Sequence, residues 1–240
     1  PATLGRDRPM REAARLVQSD PRRALSEVDQ AREPGSGPAE LLRGLAYEGL
    51  QDYARAEQSL AKAGASLPDP AVRLALVRVR VMLGKLDEAR RGIDEVSGAL
   101  SADLGALLLE ALLASDEPRA RASLQRLETW ARPPSPDAGA RPVPAELHLA
   151  RATLLARLGE LDRVRAARQD ADRAALDSER SALALVALAT RAGQRELAAQ
   201  LLARLAKEVH DPQSLAQGAA LSHTIGAHEI TGRFLALLPD

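Results

Sequence analysis

The side chains of this 240-residue sequence that could do chemistry are few, and their spacing works against each chemistry in turn. His228-Glu229 opens the zincin pattern, in which two histidines one helical turn apart hold zinc beside a glutamate base, but the position of the second histidine is Gly232. His223 and His228 are five apart, a spacing that one helix does not bring to one face, so a metal is not expected there. His148 and His210 stand beside no serine motif, so a Ser-His nucleophile lacks its base. Glu27 with Asp29, and Asp170 with Asp172, are two apart and point to different sides of a helix, which separates them as general acid and base. Gly35-Ser36-Gly37 lies between prolines, and Gly84-Lys85 lacks the earlier glycine of a phosphate-binding loop because Val79 occupies that position. With no cysteine, disulfides, thiolate metal sites and cysteine nucleophiles are excluded. The residues point away from an enzyme and imply no cofactor and no metal.

Composition narrows the partner. Thirty-three basic and 33 acidic side chains balance, leaving no field of one sign for nucleic acid or an anionic membrane. The longest apolar run, Ala182 to Ala189, is closed by Arg180 and Arg191, far short of the ~20 residues that span a bilayer. Aromatic residues make up 2% of the chain, so its core must be built of alanine and leucine. Arginine greatly outnumbers lysine, which suggests a GC-rich bacterial genome. The opening Pro1-Ala2-Thr3 reads as a trimmed or mature fragment that lacks its native N-terminus. The compartment, bacterial cytoplasm or periplasm, stays open.

The elements that would carry these residues repeat. A small residue recurs at Ala24, Ala56, Ala89, Ala120, Val164, Ala198 and Thr231, at intervals of 31 to 34 except for one of 44. The long interval contains prolines at 133, 134, 136, 142 and 144, so residues 132–144 read as an inserted loop or as a hinge between two blocks of units. Its prolines could form a polyproline ligand or a stiff surface turn. Trp130 before them is either a binding anchor or the lid of a helix end. Glycine precedes the second helix of a pair at Gly84, Gly159, Gly193 and Gly226, marking a tight turn. Asp20-Pro21, Asp69-Pro70 and Asp211-Pro212 place a capping acceptor before a proline at the first helical position, predicting three helix starts. Apolar residues return at three and four, as at Leu185, Leu188, Ala189 and Ala192, giving each helix one face to bury.

Between Leu42 and Pro68 the residues Gly44, Ala46, Tyr47, Tyr53, Ala56, Leu60, Ala63 and Pro68 have the spacing of a tetratricopeptide repeat, and the chain resembles that family. It departs at Glu40 and Arg43, where the family prefers large apolar residues near the start of the first helix. Gly193, Ala198, Leu202 and Leu205 form the next best unit.

The resemblance implies an all-α, right-handed α-solenoid of about seven antiparallel helix-turn-helix units. Their approximate limits are 9–33, 38–68, 70–99, 103–131, 145–177, 179–211 and 213–240, within one domain spanning 1–240. It also implies a concave groove lined by the first helix of each unit. Matched positions there are Leu41, Leu45 and Glu48; Leu74, Arg78 and Met82; Leu109 and Leu112; Leu149, Thr153 and Arg157; Leu183, Ala187 and Arg191; and Ala216, Ala220 and His223.

That groove would take a protein or peptide, amphipathic or mildly acidic. The lysines and asparagines with which some members clamp a terminal carboxylate are replaced here by leucines, and no homo-oligomer is indicated. The implied function is a non-catalytic scaffold or adaptor in a bacterial assembly of envelope, pilus, secretion or polysaccharide-export type. The rival reading is a sensor domain of a longer protein, switched by a peptide or small effector. A further rival is that the groove leucines are covered by the protein itself.

Overall fold

The computed structural model describes residues 7–132 and 142–239, and among these it contains fourteen α-helices and no strand. They divide between two compact units, residues 1–100 and 101–240. The first holds α1 (Arg8–Leu16), α2 (Pro21–Asp29), α3 (Gly37–Gly49), α4 (Tyr53–Ser66), α5 (Pro70–Met82) and α6 (Leu86–Val96). The second holds α7 (Leu104–Leu113), α8 (Glu117–Ala131), α9 (Ala145–Arg157), α10 (Leu161–Arg173), α11 (Glu179–Arg191), α12 (Arg195–Glu208), α13 (Pro212–Thr224) and α14 (His228–Ala236). Consecutive helices pair as seven hairpins. Pro133, Pro134 and Pro136 lie outside the described residues.

The turns follow from backbone chemistry. Gly84, Gly159, Gly193 and Gly226 all take φ of +75° or +76°, the left-handed conformation that ends a helix cheaply only in glycine. After each, an N–H reaches back five residues to a helical carbonyl, as from Lys85 to Arg80 at 2.9 Å and from Gln194 to Ala189 at 2.8 Å. The α3–α4 turn closes in the same way, from Asp52 to Tyr47 at 2.9 Å, but its left-handed residue is Gln51, with φ 61°. Helix starts are held by side chains: Asp20 accepts from the Arg23 amide at 3.1 Å, Asp69 from Ala71 at 2.8 Å and Asp211 from Ser214 at 2.8 Å.

The seven recurring small residues all lie on even-numbered helices; Ala24, Ala56, Ala89, Ala120 and Ala198 have no exposed surface, Val164 is buried and Thr231 is half-buried. Missing bulk is what allows the close approach. A Cβ on Gly44 would lie 2.6 Å from the Leu60 side chain, so α3 and α4 meet through the absent side chain. Gly218 does the same for α13 and α14, where an added Cβ would lie 2.6 Å from the Phe234 ring.

In the first unit the core runs through two clusters: Met10, Ala13, Val28, Ala31, Ala39 and Leu42; then Ala56, Leu60, Ala75 and Val79. Here α2 packs on α1 and α3, and α4 on α3 and α5. The second unit has a cluster of Leu107, Leu127, Leu147, Leu154, Leu155 and neighbours, over which Trp130 lies half-buried, its indole N–H donating to the Ala102 carbonyl at 3.0 Å. Trp130 thus closes a helix end over the core.

Candidate functional site

Five of the leucines expected along the groove do not offer a surface. Leu74, Leu109, Leu112, Leu149 and Leu183 retain only 7%, 2%, 3%, 7% and 3% of their accessible area. Burying such a side chain against its neighbours is worth roughly 1.5–3 kcal/mol, more than a rim contact with a partner would return, so the protein itself takes them. In the first unit Leu41 and Leu45 are half-buried, packed beside the cluster around Leu60. Met82 is half-buried as well. In the second unit Thr153 and Ala187 are half-buried, whereas Arg157, Arg191, Ala216, Ala220 and His223 are exposed.

Two of the expected charges meet. Arg78 on α5 donates from Nε and Nη2 to Oε1 and Oε2 of Glu48 on α3, at 3.0 and 3.1 Å. This two-point pair joins neighbouring odd-numbered helices and neutralises the charges that the sequence reading assigned to a ligand.

Glu40 and Arg43, the departure from the family pattern, turn out to be partners. Glu40 Oε1 accepts from Arg43 Nη1 at 2.7 Å, and the same guanidinium reaches Asp29 at 2.9 Å and the Pro34 carbonyl at 3.1 Å. A charged network stands where apolar packing was expected.

The sequence reading missed Glu146. It lies on α9 with 1% of its area exposed, and both carboxylate oxygens accept the Asp177 amide at 3.1 Å, while the Ala145 amide donates to the Ala175 carbonyl at 2.9 Å. Burial holds the Glu146 carboxyl above the usual carboxylate range; its backbone hydrogen bonds oppose the shift, and the charges of Asp177 and Glu208 add to it. A signal did exist, because Pro38-Ala39-Glu40-Leu41 and Pro144-Ala145-Glu146-Leu147 are the same tetrapeptide, and both glutamates are buried. Asp177 immediately precedes the cap of α11, and the matching position before the cap of α5 is Pro68, which has no N–H to give. Glu40 accordingly takes Arg43 instead.

The histidines do not converge. His223 and His228 lie on either side of the Gly226 turn, so their rings approach edge to face at 6.0 Å despite the five-residue spacing. Among the described residues no three His, Cys, Asp or Glu side chains are placed to hold a metal ion. Burial depresses the pKa of His148; Asp170 opposes that shift and Arg151 adds to it, while Asp172, two residues from Asp170, lines a different surface. Asp170 and Asp172 are thus separated, as their spacing requires.

A concave feature lies wholly inside the second unit, along α9, α10 and α12. It comprises two adjoining spaces of about 410 Å³ and 220 Å³ that share Arg168 and Gln200. The first is lined by Ala152, Thr153, Ala156, Arg157 and Arg195, among others, and the second by Ala145, Leu149, Ala171, Asp172 and Lys207. The cleft follows from how the hairpins stack. Helix α8 packs on α7 and α9, but α12 leans on α9 as well as on α11, α13 and α14, while α11 reaches α7.

Across the cleft α10 and α12 are joined by polar struts. Arg168 pairs with Glu196, and Arg204 donates to the carbonyls of Asp172 and Ala174 at 3.0 and 2.7 Å. Thr153, Arg157 and Leu149 of the expected groove line this cleft; Leu183, Ala187, Arg191 and His223 do not.

No family model matches the chain, and no curated protein matches it. Solved structures do. The one named MamA MSR-1 C2 aligns with a TM-score of 0.55 at 18% identity, over 71% of this chain and 94% of its own length. The one named MamA AMB-1 C2221 aligns with a TM-score of 0.56 at 16% identity, over 69% of this chain and 96% of its own. Both are helical-repeat proteins of tetratricopeptide type. The fold is a tetratricopeptide-like array of helical hairpins. At these identities the likeness concerns the fold, and a helical-repeat fold hosts many functions.

Proposed function

We propose that this chain is a non-catalytic tetratricopeptide-type scaffold. It would hold a protein or peptide segment as part of a bacterial multiprotein assembly of envelope, pilus, secretion or polysaccharide-export type. The observation that carries the reading is the cleft along α9, α10 and α12: an open surface lined by small apolar residues, Ala145, Ala152 and Ala156 among them, together with polar and charged ones, and built on three helices and the turn before α12. Such a surface fits a chain segment better than it fits a reaction, because no nucleophile and base lie together on it. Among the described residues no helix is long and apolar enough to cross a membrane.

In the first unit the half-buried Leu41, Leu45 and Met82 beside the Glu48–Arg78 pair would supply further contacts. The test is photo-crosslinking from Thr153 and Ala187 in host extract, with Arg157→Glu and Arg191→Glu as variants. Crosslinks to one protein, reduced by the reversals, support the scaffold. A folded chain that crosslinks to no protein from either position counts against it.

A further inference from the structure

We propose that the cleft along α9, α10 and α12 binds an extended acidic peptide segment, an inference that rests on the scaffold reading and names its ligand chemistry. Its lining includes five cationic side chains, Arg157, Arg168, Arg195, Arg204 and Lys207, against two acidic ones, Glu196 and Asp172. The whole chain carries no net charge, so this local excess is a property of the cleft.

The cations also differ in what they do. Arg168 is occupied by Glu196, and Arg204 by Glu208 and two main-chain carbonyls, so these two brace the walls. Arg195 and Lys207, both exposed, make no ion pair among the described residues. They stand at opposite ends of α12, about 18 Å apart along the helix axis at 1.5 Å per residue. An extended strand of roughly five residues covers that distance. Carboxylates near its two ends would meet Arg195 and Lys207, and small side chains between them would face the lining alanines Ala145, Ala152 and Ala156.

A peptide is preferred to a simple anion because of Gln200. This residue lies at the joint between the two spaces, its Nε2 donates to Glu196 at 3.1 Å, and its Oε1 is buried with no partner. A buried acceptor without a donor is uncommon, and a main-chain N–H from an incoming strand supplies one where a simple carboxylate such as acetate cannot.

The experiment uses the full chain and a fluorescein-labelled peptide of alternating glutamate and alanine, followed by anisotropy at low salt, with the glutamine–alanine peptide beside it. The expected result is binding of the glutamate peptide alone, weakened by added salt, and weakened roughly tenfold by the double reversal Arg195→Glu with Lys207→Glu. Arg22→Glu, exposed on α2 of the first unit, is expected to leave binding unchanged. Should the double reversal alter the thermal melt, Arg195→Gln with Lys207→Gln tests the same point without new repulsion.

No binding at low salt, equal binding of both peptides, or binding indifferent to both double variants would overturn the proposal. Capture of a protein partner unaffected by these variants would also overturn it while leaving the scaffold standing. A chain that binds the glutamate peptide through the cleft but crosslinks to no host protein would uphold the ligand chemistry and count against the scaffold.

Discussion

Arg43 shows how much can depend on one side chain in a core this poor in aromatics. Glu40 and Arg43 are both largely removed from water, with side-chain exposures of 10% and 17%, and one Glu40 oxygen has no hydrogen-bond partner. Removing the cation strands a carboxylate; replacing both residues removes the desolvation cost of each. Arg43→Leu alone is therefore expected to destabilise the protein by roughly 3 kcal/mol in urea unfolding, whereas Glu40→Leu with Arg43→Leu is expected to match or exceed the parent. A double variant less stable than Arg43→Leu would show that the network is worth more than apolar packing.

Glu146 presents the same question with pH as the variable. A carboxyl whose folded-state pKa lies above its unfolded value holds its proton more tightly in the folded chain. Its contribution to stability is therefore full below the unfolded value and lost as pH rises through the folded one. Because burial raises the Glu146 pKa from about 4.5, the stability of Glu146→Gln relative to the parent is expected to improve as pH rises from 4 to 8. Thermal melts at several pH values check this. A gap independent of pH would mean that the Asp177 amide fully offsets burial.

At the scale of elements, the hairpins were legible because their signals are local. A glycine at the required φ, an aspartate before a proline and an absent side chain where two helices cross each act within a few residues. Gln51 was not legible, since glutamine carries no turn signal and was forced into the left-handed region by its neighbours. That conformation is strained for a residue with a Cβ, and Gln51 is exposed, so Gln51→Gly is expected to stabilise the α3–α4 hairpin. The gain should be about 0.5–1 kcal/mol after the extra entropy of glycine in the unfolded chain. A loss in the urea midpoint would contradict the assignment.

The candidate site was legible only in part. Thr153, Arg157 and Leu149, expected along the groove, line the cleft, but the leaning of α12 on α9 is decided by which alanine- and leucine-faced helices fit one another, and these faces are nearly interchangeable as patterns. The buried leucines show the complementary limit. Position in a repeat indicates which way a residue points, not whether the next hairpin covers it.

For the whole molecule, the physics of stacked hairpins makes stability a sum of unit and neighbour terms, so a group of hairpins with its own core can stand alone if the contacts it loses are few. Residues 101–240 form one of the two compact units and contain the cluster around Leu147, Leu154 and Leu155. The segment is expected, when produced alone, to keep the helical circular dichroism of its eight helices and to unfold cooperatively in urea. Its midpoint should lie close to one of the transitions of the full chain, which would then unfold in two steps. A segment 101–240 that is unfolded alone, beside a full chain that unfolds in one step, would mean that the first six helices are needed as a neighbour for the last eight. The full chain would then be the smallest cooperative unit, in agreement with the single-domain expectation from the repeats.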